Sequence, residues 1–195
     1  MDIWKACDRG DLERAEELLL LDPTLINERN IDGDTPLHRA CSYGHSNITK
    51  LLLDNNADIN IKNNNGNTPL HLACYYGYSN ISKLLLDKGA DINSKNNYGY
   101  TPFHRACSYG HSNIAKLLLD KGAYINSKNN DGDTPLYCSC YYGRSNIAKF
   151  LIKNGHVMIS NTGFPDKVRS YLTSRKSKTR RISLPFLILL DLFVY

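Results

Sequence analysis

The sequence predicts an all-α solenoid of about five stacked helix pairs with turn or hairpin tips, and three observations carry that expectation. Thr35-Pro36, Thr68-Pro69, Thr101-Pro102 and Thr134-Pro135 recur every 33 residues, a period that marks one supersecondary unit stacked on copies of itself. Each Thr-Pro pair opens a helix, because Thr suits the N-cap and Pro the first helical position. Between units lie Asn30-Ile31-Asp32-Gly33, Asn63-Asn64-Asn65-Gly66, Asn96-Asn97-Tyr98-Gly99 and Asn129-Asn130-Asp131-Gly132, which read as turns with glycine at the positive-φ position.

Within the third unit the first helix runs from Pro102 to about Tyr109, and Gly110 closes it. Ser112 offers a second N-cap, and Ile114, Leu117 and Leu118 form one apolar stripe before Gly122. Helices of two to three turns do not stand alone in water. The units must therefore stack to bury their stripes.

The hexads Thr35-Pro36-Leu37-His38-Arg39-Ala40, Thr68-Pro69-Leu70-His71-Leu72-Ala73 and Thr101-Pro102-Phe103-His104-Arg105-Ala106 resemble the signature of the ankyrin repeat, over roughly residues 1 to 160. The organisation expected is an N-terminal capping repeat at 1–29, and four repeats at 30–161 starting near 30, 63, 96 and 129. A short capping segment, basic linker and hydrophobic tail follow at 162–195. In the capping repeat Asp2 and Trp4 fall where Pro36 and His38 would be, and one extra residue is placed near Asp22-Pro23. Its charged positions, Asp8 among them, are expected on a solvent-facing cap. In the second unit Asn56 stands where Gly89, Gly122 and Gly155 close later helices. In the last, Tyr137 replaces the His and Ser139 the Ala. Ser42-Tyr43-Gly44-His45 matches Ser108-Tyr109-Gly110-His111, and Tyr75-Tyr76-Gly77 matches Tyr141-Tyr142-Gly143, so a 66-residue similarity overlies the shorter one.

His38/Cys41, His71/Cys74 and His104/Cys107 are i, i+3 pairs that could each give two ligands to zinc. Zinc needs four donors within about 2.3 Å, whereas stacked helices lie about 8–10 Å apart. No metal site is expected. The resemblance implies instead that the His orders its own turn, and the Cys packs as a small apolar side chain. No glycine-rich phosphate loop and no isolated carboxylate pair is present, so neither an enzyme nor a cofactor is expected.

The resemblance places a protein partner in the groove of turn tips and outer first-helix residues. Those positions are Asp32, Asp34, Arg39, Ser42 and Tyr43; Asn65, Asn67, Leu72, Tyr75 and Tyr76; Tyr98, Tyr100, Arg105, Ser108 and Tyr109; and Asp131, Asp133, Cys138, Tyr141 and Tyr142. Tyrosine is enriched at binding hot spots because it buries a large, stiff, amphipathic ring. A competing source is composition, since richness in Asn, Lys, Tyr and Ile is typical of AT-rich genomes. Such an origin would make a host protein one candidate partner.

Of 24 Lys+Arg and 19 Asp+Glu, residues 166 to 195 carry 7 and 2, so residues 1 to 165 are balanced at 17 and 17. A neutral solenoid argues against nucleic acid as partner, and the chain is expected to be a monomer. The basic tract Ser174 to Arg181 reads as a linker, with a nuclear-import signal or a kinase site at Ser183 as further readings. Leu184 to Tyr195 is too short to span a bilayer. It is expected to fold back as a lid, or to tether residues 175–195 to a membrane surface. Leu184-Pro185 and the leucines after it also resemble the start of an F-box-like helix, which implies an adaptor for a ubiquitin ligase. No signal peptide or membrane-length run opens the sequence, and unpaired cysteines fit a reducing compartment. An intracellular, cytoplasmic location is expected.

Overall fold

The computed structural model describes residues 2 to 154. The expectations for 162–195, and for Gly155 as a helix stop, lie outside the described residues. The described chain is an all-α stack of helix pairs. It begins with α1 (Ile3–Arg9), α2 (Leu12–Leu21) and a 3-10 turn at Pro23–Asn27. Four pairs follow: α3 (Pro36–Tyr43) with α4 (Ser46–Asp54), α5 (Pro69–Tyr76) with α6 (Ser79–Asp87), α7 (Pro102–Tyr109) with α8 (Ser112–Asp120), and α9 (Pro135–Tyr141) with α10 (Ser145–Asn154). The odd-numbered helices pack in one row and the even-numbered in a second.

A histidine latch joins each unit to the next. The backbone N–H of Thr35 donates to Nδ1 of His38 at 3.1 Å, with the Thr35 hydroxyl 2.9 Å from the same nitrogen. Nδ1 is thereby the acceptor, so Nε2 carries the proton, and it donates to the Asn67 carbonyl of the following unit at 2.9 Å. His71 repeats this with Thr68 and the Tyr100 carbonyl, and His104 with Thr101 and the Asp133 carbonyl. Trp4 stands at the equivalent place in α1, and its indole N–H donates to the Asp34 carbonyl at 3.2 Å. The first unit thus keeps the forward bond with a different ring.

A second ladder runs backward. His45 Nε2 bonds the Asp8 carbonyl, His111 Nε2 the Tyr75 carbonyl, and Arg144 Nε the Ser108 carbonyl, at 2.9–3.0 Å. Each side chain crosses the glycine that ends the preceding first helix. At Gly77, φ is +89° and a Cβ would lie 2.5 Å from the His111 ring, so conformation and close approach both demand glycine. His45 and His111, with Tyr78 at the equivalent position, are the N-caps of α4, α8 and α6, so Ser112, which the sequence offered as a cap, is the first helical residue instead. Asn56 adopts φ +63° as expected of the glycine substitute.

The extra residue of the first unit lies within α2, not at Asp22-Pro23. This helix has 10 residues against 9 in α4. The N-terminal bond Ala15 to Asp11 matches Thr49 to His45, 34 residues on, while Asp22 to Leu18 matches Asn55 to Leu51, 33 on.

Asparagine has its own structural use. Asn30, Asn63, Asn96 and Asn129 each accept two backbone N–H bonds of their own turn tip through Oδ1. Asn64, Asn97 and Asn130 donate from Nδ2 to the Ile31, Asn64 and Asn97 carbonyls one unit back. Asn27, Asn60 and Asn93 receive the N–H of Asp58, Asp91 and Tyr124. Much of the asparagine content therefore follows from the need to satisfy tip and loop backbone.

The core is one continuous seam. Leu37, Leu70, Phe103 and Leu136 alternate with Ile48, Ile81, Ile114 and Ile147, and with Leu52, Leu85, Leu118 and Leu151, all buried. All 6 cysteines are free and buried. Burial pushes the Cys7 and Cys74 thiols up to about 12 and those of Cys138 and Cys140 to about 11. Iodoacetamide at about pH 8, where an ordinary thiol is partly ionised, should label none of the 6 within minutes in the native protein, and all 6 in denaturant, as read by mass spectrometry. Rapid native labelling of Cys41 or Cys74 would contradict the packing.

Burial also holds His71 down to about 3 and His104 to about 4, and lowers His38. The folded chain accordingly binds fewer protons than the unfolded chain below about pH 6.5, the ordinary imidazole value. Stability should be complete above that pH and fall toward pH 4, by roughly 1 kcal/mol per pH unit for each latch. Urea unfolding at several pH values checks this, and a pH-independent midpoint would contradict it.

Candidate functional site

The odd-numbered helices form one row, and side chains from the last turns of α5, α7 and α9 meet along it. Around the first two full units a hollow of about 490 Å³ is bordered by Asp32, Arg39, Ser42, Tyr43, Asn65, Asn67, Leu72 and Tyr76. The tip residues Asp32, Asn65, Tyr98 and Asp131 are exposed.

Aromatic rings continue the surface toward the C-terminal units. Tyr76 meets Tyr75 edge-on at 4.7 Å between centroids, Tyr75 meets Tyr109 at 4.1 Å, Tyr109 stacks on Tyr142 at 6.4 Å, and Tyr142 meets Tyr141 at 5.1 Å. Tyr141 in turn stacks on Tyr137 at 6.1 Å. Tyr76, Tyr141 and Tyr142 remain about half exposed, at 50%, 49% and 52%, so the belt is available as surface. Partial burial and a hydrogen bond with Tyr75 push the Tyr109 phenol up to about 12, and burial also raises Tyr76 and Tyr100. These hydroxyls stay protonated at neutral pH.

Several expected groove positions also hold the frame together, Asp34 and Asn67 while bordering the hollow. Asp34 is buried; it accepts from Asn63 Nδ2 at 2.8 Å and lies 3.6 Å from Arg39 Nη1. Ser108 is buried with its hydroxyl donating to the His104 carbonyl at 2.8 Å, and Cys138 is buried beside it. Asn67 uses its side-chain oxygen to accept from Asn96 at 2.8 Å. Asp34 and Asn67 bond to asparagines of the following unit, and Ser108 and Cys138 meet across adjacent units, which a single unit's periodicity does not show.

The two arginines of the groove differ. Arg39 forms a bidentate pair with Asp8, Nε to Oδ1 at 2.7 Å and Nη2 to Oδ2 at 2.9 Å, and also donates to the Tyr43 hydroxyl at 3.1 Å. The carboxylate of Asp8, expected on the solvated cap, is therefore half-buried in the groove wall. Arg105 lies over the Tyr100 ring at 4.7 Å and the Tyr75 ring at 5.8 Å. Sequence reasoning placed Trp4 at the histidine position without its bond, and missed the roles of Asp8, His45, His111 and Arg144. Only the fixed offset of their positions from the neighbouring unit could have found them.

The His/Cys pairs offer nothing to a metal in this arrangement, because both nitrogens of His38, His71 and His104 are hydrogen-bonded and the thiols are buried and protonated.

A family model described as ankyrin repeats (3 copies) matches residues 3–96 and 91–162. The ankyrin repeat and KH domain-containing protein mask of Drosophila melanogaster is 42% identical over 53 residues, 27% of this chain and 1% of that protein. The chain thus spans about 1% of the length of this curated relative.

Proposed function

Since this chain belongs to the ankyrin-repeat family, whose repeats are generally protein-interaction modules, we propose that it is a binding scaffold which holds one partner protein along the concave groove and performs no chemistry. The observation that carries this reading is the run of touching tyrosines from Tyr76 to Tyr141 across three units. Stiff rings that lie half in solvent lose little side-chain entropy when covered, and each can bury a large area. The rings also support one another, so the surface is formed before the partner arrives. The scaffold acts as a monomer, and its six unpaired, buried cysteines suit a reducing compartment inside the cell.

The residues that make contact on this reading are Asp32, Tyr43, Asn65, Leu72, Tyr75, Tyr76, Tyr98, Tyr100, Arg105, Tyr109, Asp131, Tyr141 and Tyr142. Asp34, Arg39, Asn67 and Asp133 hold the wall behind them through their hydrogen bonds and ion pairs. Affinity capture followed by mass spectrometry identifies the partner. Replacing Tyr76→Ala together with Tyr109→Ala should weaken its capture by about tenfold or more, on the usual hot-spot scale. Helix content by circular dichroism should be unchanged. Full capture by the double variant would remove the groove from consideration.

A further inference from the structure

We propose that Arg105 is the anchor for a carboxylate carried by an extended acidic segment of the partner protein. The inference rests on the groove reading and names the chemistry its centre selects. Arg39 and Arg105 occupy the same position of their helices, 66 residues apart. Around Arg39 the previous unit supplies Asp8 and the tip supplies Asp34, so two carboxylates neutralise that guanidinium. The corresponding neighbours of Arg105 are Tyr75 and Tyr100, and both present rings to it. Among the described residues no Asp or Glu oxygen lies within ion-pair distance of Arg105.

Two rings hold the guanidinium by cation–π attraction without cancelling its charge, and they displace part of its water. A planar fork held in this way is pre-oriented for bidentate pairing with a carboxylate. Its half-buried position strengthens that pairing relative to an exposed lysine. The Tyr109 phenol, kept protonated by its partial burial, stands near it as a donor. From the hollow at Tyr43 to Arg105 is two repeats, roughly 20 Å, or about six residues of extended chain. A segment laid along the tyrosines thus brings one acidic side chain to this position.

The test uses the full chain and a displayed random library of peptides of roughly 12 residues, long enough to span the groove at about 3.3 Å each. Recovered peptides should share an Asp or Glu at one position. Its replacement by Asn or Gln should weaken binding about ten- to a hundredfold. With Arg105→Gln the acid and amide peptides should bind alike, and unchanged helix content by circular dichroism separates loss of the anchor from loss of fold. Equal binding of acid and amide peptides to the unaltered chain, an acid preference that survives Arg105→Gln, or recovery of no peptide would each overturn the inference. Peptides without acid preference that are lost from the Tyr76→Ala, Tyr109→Ala variant would overturn Arg105 as anchor but leave the groove standing. Peptides that bind that variant undiminished would overturn both.

Discussion

A neutral imidazole with both nitrogens occupied, one by the threonine that begins its own helix and the other by a carbonyl of the next unit, sets the spacing of this solenoid. The short helices cannot persist alone, and apolar contact between them has no direction of its own. The bond from His38, His71 and His104 to the carbonyls of Asn67, Tyr100 and Asp133 supplies that direction. The backward bonds of His45, His111 and Arg144 cross it from the other side, over glycines that leave room for the ring or guanidinium. Between them the two ladders fix both the distance and the rotation of one unit on the next.

This arrangement separates the residues that hold the stack from those free to vary. The latch uses the carbonyl of the residue before each threonine, so the side chain there is not constrained by the bond. Asp34, Asn67, Tyr100 and Asp133 occupy it in turn. The same holds for the second-ladder acceptors, where Asp8, Tyr75 and Ser108 offer carbonyls of equal geometry with unlike side chains. Backbone acceptors thus allow one scaffold to carry changing groove chemistry at no expense to its own cohesion.

What could be read along the chain was whatever depends on a single unit. The threonine caps of the first helices, the glycine stops, Asn56 as a left-handed residue, the apolar seam and the buried thiols all follow from local chemistry and period, and the structure agrees with them. What could not be read depends on which atoms of adjacent units face one another. Asp8 looks like a cap residue until α3 is laid beside α1 and Arg39 reaches it. Ser108 and Cys138 look like exposed groove residues until their neighbours close over them, and Asp34, though it borders the hollow, is buried in the same way. The asparagines look like codon bias until their amides are seen to satisfy tip carbonyls 33 residues away. The register alone places Trp4 at the histidine position, but that its indole N–H reaches the same carbonyl from a ring of different shape shows only when the next unit is laid beside it.

The 66-residue similarity sharpens the point. Two helices that share Arg, Ala, Cys, Ser and Tyr in the same order, α3 and α7, have come to sit in different electrostatic settings because the units before them differ. Ahead of α3 stands a capping helix with Asp8; ahead of α7 stands α5 with Tyr75. A buried-side carboxylate turns the first arginine into a clasp between units, while a ring leaves the second with its charge unspent. In a linear array the character of a side chain is therefore set by the neighbour it is stacked upon as much as by its own repeat. A duplicated block acquires new surface chemistry as soon as it is placed against a different predecessor.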